Sequence, residues 1–348
     1  MTTTAITERI PGARALREAA AGGDPSVTVA LLDSDIDLRH PCFGGADIGC
    51  LSIETDAPFG HDSPGAAQGT HVASLLCGQP DSGVTGLAPR CRIIGLPVYA
   101  EDARGQPVAC HQPMLGRAIR RAAEAGADII TISGAPMAQP GPVDRFFDDA
   151  IRLCAKHDIL IVAAAGNDGC RCEQVPAARA CVLPVAGHDA AGRPLPFPAP
   201  ATPYWSRRLL APADAVPGAA PGGGVVQRQG TPAAAPLVSG AAALLLTLQI
   251  RHHAYTDLNA IRRLLLESAE TCPAAAMRHA PRTLAGRLNA HRALAALAAT
   301  GPAAASADDS PYHGPGPAPA DAPVRLMDGT NFVMPRSPQN DSQTPRNG

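Results

Sequence analysis

Apolar and polar positions along residues 10 to 297 follow a repeating order, in which short β-branched runs alternate with stretches of helical period. VTVALL, from Val27 to Leu32, ends at acidic Asp33 and predicts a buried strand. Met114 to Ala125 has its apolar residues at helical spacing and stops at Gly126, after which ADIITIS reads as a strand. The unit then repeats. VDRFFDDAIRLCAK, from Val143 to Lys156, predicts an amphipathic helix with Phe146, Phe147, Ala150, Ile151 and Cys154 on one side, and DILIVAAAGN predicts a buried strand running into a glycine turn. Pro232 to Gln249 is nearly all apolar, which predicts a helix buried on every side. Asp257 to Ala269 and Leu288 to Leu297 read as covering helices. This alternation predicts an α/β fold of three layers, a mainly parallel central sheet with helices on both faces.

Composition adds limits. With 348 residues, 45% of them hydrophobic, the chain holds enough apolar material for one large core. A net charge of -2 offers no electrostatic footprint for nucleic acid or an anionic membrane, so neither is expected as a partner. Lys156 is the only lysine, and the Arg, Ala, Gly and Pro bias reports a GC-rich coding sequence more than a function. The first twenty residues lack a basic segment followed by an apolar one, and no later run approaches 18 uninterrupted apolar residues, so the chain reads as soluble and cytoplasmic. The cysteines are mostly scattered, and the Cys170, Cys172 pair lacks the spacing of a zinc site, so neither metal nor cofactor is expected. Free buried thiols are the expectation, with a local disulfide among Cys154, Cys170, Cys172 and Cys181 as the alternative. Residues 1–9 read as an N-terminal extension, 10–300 as the folded domain, and 301–348 as a Pro- and Ala-rich tail with too little apolar surface to order itself. Within that tail VRLMDGTNFVMP is one apolar island, either a docking motif or an incidental patch.

Candidate chemistry lies in four stretches: VALLDSDID, QGTHVASLL, VAAAGNDG and GTPAAAPLVSGAAALLL. The first puts Asp33 at the carboxyl end of a strand, where open α/β sheets build their sites. The second starts a helix at Gly69 and Thr70 with His71 in its first turn. In this order the motifs resemble those of subtilisin-like serine peptidases, over Val29 to about Ala299. IPGARALREAAAGGDPSVTVALLD, AAAGNDGCRCEQVPAA and PLVSGAAALLLTLQ further resemble the protease domains of cyanobactin-type maturation enzymes, which trim ribosomally made precursor peptides. The resemblance implies that Asp33 orients an imidazole, that His71 is general base and then acid, and that Asn167, after Gly166, donates to the oxyanion. It also implies that Ser133 and Gly134 pair with an extended peptide, with Gly166 beside them in the substrate cleft. The implied partner is a leader-bearing precursor peptide, and beside it an active maturation protease.

One departure outweighs these matches. Where the family has Gly-Thr-Ser, this chain has Gly230, Thr231 and Pro232. Pro232 removes the attacking hydroxyl and, lacking an N–H, also the backbone donor that residue would give the oxyanion hole. In subtilisin, loss of the serine alone costs about 10⁶ in rate. Ser239 lies two turns further along and points into packing, and Thr231 suits an N-cap better than a nucleophile. Proline is favoured at the first helical position, so the change is costly to catalysis and nearly free for folding. Gln68 and Leu237 stand where the family usually has histidines, which suggests relaxed demands on the catalytic face. The sequence therefore predicts an inactive, peptide-binding homologue; the rival expectation is an active endopeptidase with an unrecognised nucleophile, and the blandest is a decaying gene product.

Overall fold

In the computed structural model, the described residues are 6–53, 66–99, 110–134, 143–166, 175–195, 208–253, 256–272, 286–299, 324–325 and 331–332. The chain divides into two units, residues 1–303 and 304–348. The first begins with α1 (Ala13–Ala19), β1 (Thr28–Asp33), β2 (Ile48–Cys50), α2 (Ala67–Cys77), β3 (Arg92–Pro97), α3 (Gln112–Glu124) and β4 (Ile129–Ile132). It continues with α4 (Arg145–Lys156), β5 (Leu160–Ala164), β6 (Leu183–His188), β7 (Leu209–Pro212), β8 (Val216–Ala220) and β9 (Gly224–Arg228). It closes with α5 (Thr231–His253), α6 (Leu258–Glu267), β10 (Gly286–Arg287) and α7 (Ala290–Ala299). In the second unit, β11 (Val324–Arg325) and β12 (Asn331–Phe332) pair antiparallel within the apolar island of the tail.

Eight strands form one sheet in the order β10-β7-β6-β5-β4-β1-β3-β2, and every pairing in it is parallel. The strand order reverses at β1, which lies between β4 and β3, and a crevice at the carboxyl ends of such a reversal is where open α/β sheets bind ligands. The period of two along each strand splits its side chains between two cores. Val29, Leu31, Ile93, Ile129, Leu160 and Val162 face one of them. Ala30, Leu32, Ile94, Ile130, Ile132 and Ile161 face the other, with α3 and α4 supplying Leu115, Ile119, Phe147 and Ile151. The sheet thus carries helices on both faces, as its sequence pattern predicts.

The first core is organised around α5. From Thr231 to Gln249 all residues but Pro232 are buried, because α2 and the sheet cover the helix from different sides. By length and hydropathy this helix could cross a membrane, yet 94% of its apolar window is buried inside the protein. Ile6 and Ile10 join the same core, so residues ahead of Ile10 take part in the fold.

Several sequence expectations shift here. Phe146, expected on the buried side of α4, is 37% exposed, and the Arg120 guanidinium stands 5.5 Å from its ring centroid. Cys154 and Cys181 are free thiols, so a disulfide through either is absent. Cys170 and Cys172 lie outside the described residues, as do residues 301–323 and 333–348 of the tail.

A half-buried acid just ahead of the interior strand β4 carries a measurable signature. Asp128 Oδ2 accepts from Thr28 N at 2.8 Å, just ahead of β4, and burial raises its carboxyl to about 6, with the nearby Asp158 charge adding to the rise. The folded protein therefore holds a proton there that the unfolded chain releases near pH 4, so stability from this group falls as pH rises from about 4 to about 6. Asp128→Asn keeps an acceptor for Thr28 N and removes the titration. Its stability, from urea unfolding at several pH values, is expected to fall less across this window, by up to about 3 kcal/mol.

Candidate active site

Of the expected site residues, Asp33, Ser133, Gly134 and Gly166 lie at the carboxyl ends of β1, β4 and β5. Asp33 is the last residue of β1 and fully buried, and its backbone carbonyl accepts from Val98 N at 2.8 Å and Tyr99 N at 3.3 Å. Its Oδ1 accepts from Ser34 N at 2.7 Å and from Gln68 Nε2 at 3.1 Å. The carboxylate is thus aimed at α2, as an orienting acid should be.

The side chain that meets it is not the expected one. α2 begins at Ala67, two residues ahead of the predicted start, so Gln68 occupies the first turn beside β1, and His71 lies nearly a turn deeper. The cause is local and steric. Gly69 passes so close to the Ser34 and Asp35 carbonyls that a Cβ would collide with both. Gly69 N donates to Ser34 Oγ at 2.9 Å, and Asp37 N donates to Thr70 Oγ1 at 2.8 Å. These contacts clamp the helix start to the loop after β1 and turn Gln68 to the carboxylate.

His71 is 1% exposed, and among the described residues its ring bonds to the Val216 carbonyl, through Nε2 at 2.9 Å. A carbonyl only accepts, so Nε2 carries the proton. Burial lowers its pKa to about 4, against the bond to Val216, and the Arg228 charge lowers it further. A general base needs the opposite arrangement, an unprotonated Nε2 and an Nδ1–H on the orienting acid. That is not the arrangement His71 has here, where the ring is a buried, neutral pin between α2 and the β8–β9 hairpin. Ser74 Oγ reinforces it, donating to His71 O at 2.6 Å and accepting from Ala219 N at 2.9 Å.

Ser133 and Gly134 follow β4 and are buried, and among the described residues the Ser133 hydroxyl has no hydrogen-bond partner. The Gly134 carbonyl accepts from Tyr99 Oη at 2.7 Å, and the Tyr99 ring lies against its Cα so closely that a side chain there would clash. Tyr99 gave no signal in the sequence, because only the pairing of β1 with β3 brings it to β4. Gly166 follows β5 with φ +83, a conformation that glycine adopts without strain. Asn167 lies outside the described residues.

Pro232 is the second residue of α5 and the only residue from Thr231 to Gln249 that is not fully buried. The helix starts one residue earlier than predicted, after Gly230 at φ +114, whose N–H donates to the Ala213 carbonyl at 2.8 Å just beyond β7. The N–H that proline lacks falls in the first turn, where no intrahelical acceptor exists for it. Ser239 is fully buried and its hydroxyl donates back to Ala235 O at 3.2 Å, which removes it as a nucleophile. Among the described residues no three His, Cys, Asp or Glu side chains are grouped to hold a metal ion.

Residues 24–296 match the model of the subtilase family. The chain belongs to the subtilase family. A subtilisin of Bacillus pumilus is 30% identical over 71% of this chain and 84% of its own. The prenylagaramide maturation protease PagA superposes with a TM-score of 0.74 at 40% identity, covering 83% of this chain and 99% of its own. The PatG macrocyclase in complex with peptide reaches a TM-score of 0.74 at 28% identity, covering 85% of this chain and 99% of its own. Its neighbours thus include the maturation proteases that the quoted motifs resemble, and this subtilase has proline at the head of α5.

The pin predicts its own sensitivity. Gly218 on β8 lies against the His71 ring, and a Cβ there would sit 2.6 Å from Nε2. Gly218→Ala should expel the ring or the hairpin and lower stability by about 1–3 kcal/mol, the usual cost of overpacking, read as a fall in Tm.

Proposed function

We propose that this subtilase is a pseudoprotease that binds an extended peptide without cutting it and serves the maturation of a ribosomally made peptide in the cytoplasm. The observation that carries the reading is Pro232, the one residue in the first five turns of α5 that is not fully buried, at the place of the family's nucleophile. No hydroxyl can attack from it, and no backbone N–H can donate from it to an oxyanion. The retained features support binding. Ser133, Gly134 and Gly166 follow the adjacent strands β4 and β5 at the carboxyl end of the sheet, where open α/β sheets bind ligands and an extended peptide can lie along the chain leaving β4. A peptide complex of the related PatG macrocyclase supports a peptide as the ligand class. Eight cysteines are free thiols among the described residues, which supports a reducing compartment.

Two measurements on the purified full chain test the reading. A serine-directed fluorophosphonate is expected to leave the protein unlabelled, and labelling at any residue overturns the loss of catalysis. A leader-bearing precursor peptide encoded with this protein is expected to bind in isothermal calorimetry and to be recovered intact by mass spectrometry. Cleavage, or no heat of binding, overturns the proposed role.

A further inference from the structure

We infer that Gln68 holds the general-base position of this site, so that the chain has lost its base as well as its nucleophile and Pro232→Ser alone does not rebuild a hydrolase. The inference deepens the pseudoprotease reading and stands whether or not a peptide binds. A serine triad identifies its base by one contact, the bond between the base and the orienting carboxylate. In this structure Gln68 Nε2 makes that contact, donating to Asp33 Oδ1 at 3.1 Å from the first turn of α2. The amide N–H reproduces, at Oδ1 of the fully buried Asp33, the donor that an imidazole Nδ1–H would present. It cannot take a proton at neutral pH, because an amide has no basic nitrogen.

The other histidine in reach of the motif is committed elsewhere. His71 gives Nε2–H to Val216 O, packs on Gly218 and lies under a hairpin that is tied down at three more points. Ser74 Oγ takes Ala219 N, Asp37 Oδ2 takes Gly222 N at 2.9 Å, and His40 Nε2 donates to Gly224 O at 2.9 Å. For His71 to serve Asp33, its ring would have to leave the hairpin and displace Gln68. The fold gives it reasons to stay. Its retention in QGTH is explained by packing, and needs no catalysis.

The test compares Pro232→Ser with the pair Pro232→Ser and Gln68→His in the full chain, using a fluorophosphonate as the probe. In that reaction the introduced hydroxyl oxygen bonds to phosphorus, its proton passes to the introduced imidazole, and the P–F bond breaks to release fluoride. The single variant is expected to label no faster than an unactivated serine. The pair is expected to label about 100-fold faster or more, the range a general base contributes, with a rate that rises with pH as the imidazole loses its proton. Circular dichroism and Tm establish that both are folded. Labelling of the single variant as fast as the pair overturns the inference, because a base other than residue 68 would then be at work. A folded pair no faster than the single variant overturns it as well. Two-bond ¹H–¹⁵N spectra of the parent give an independent reading: a neutral His71 protonated on Nε2 at pH 6 is expected, and Nδ1 protonation overturns it. Failure of peptide binding alone would leave all these outcomes unchanged and count only against the proposed role.

Discussion

The close approach of Gly69 to the Ser34 and Asp35 carbonyls governs this site. It leaves no room for a Cβ, so the start of α2 is clamped onto the loop that leaves β1, and the hydrogen bonds from Gly69 to Ser34 and from Asp37 to Thr70 hold it there. Once that junction is set, the helix period settles the rest. Gln68 faces the Asp33 carboxylate, His71 falls under the hairpin, and Ser74 reaches β8 a further turn on. A glycine with no chemistry of its own thereby decides which side chain meets the acid.

The second constraint is the burial of α5. A helix covered by α2 and the sheet must have apolar residues nearly all round, and its polar members must find partners: Ser239 and Thr247 bond back to the helix's own carbonyls, and Gln249 Oε1 accepts from Asp257 N. Near its start only Pro232 escapes this demand, so a helix-starting residue can stand there without loss of fold. Serine serves catalysis at that position and proline serves the helix. The fold constrains the choice little, so the chemistry can disappear while the architecture persists.

The retained acid is consistent with this view. A buried carboxylate stripped of its partner would cost stability, and Gln68 supplies an N–H where an imidazole would have supplied one. Asp33 remains tied to Ser34 and Gln68 and, through its carbonyl, to the end of β3.

The sequence by itself determined the layers, the helix and strand types, the family and the proline in the first turn of α5. Each of those is written in local spacing, either the periods of two and 3.6 or a motif of consecutive letters. Phe146 shows where that logic ends, since amphipathic spacing placed it inward and it lies partly exposed beside the Arg120 guanidinium. Tertiary structure alone decided which of two nearby side chains faces Asp33, because the contacts of Gly69 and Thr70 with the loop after β1 fix the phase of α2. It also decided that Tyr99 closes on Gly134, a contact made only when β1 brings β3 and β4 to its two sides. Motif order names the residues that belong to a site; helix phase and strand pairing, set by steric contacts distant in sequence, fix what each of them touches.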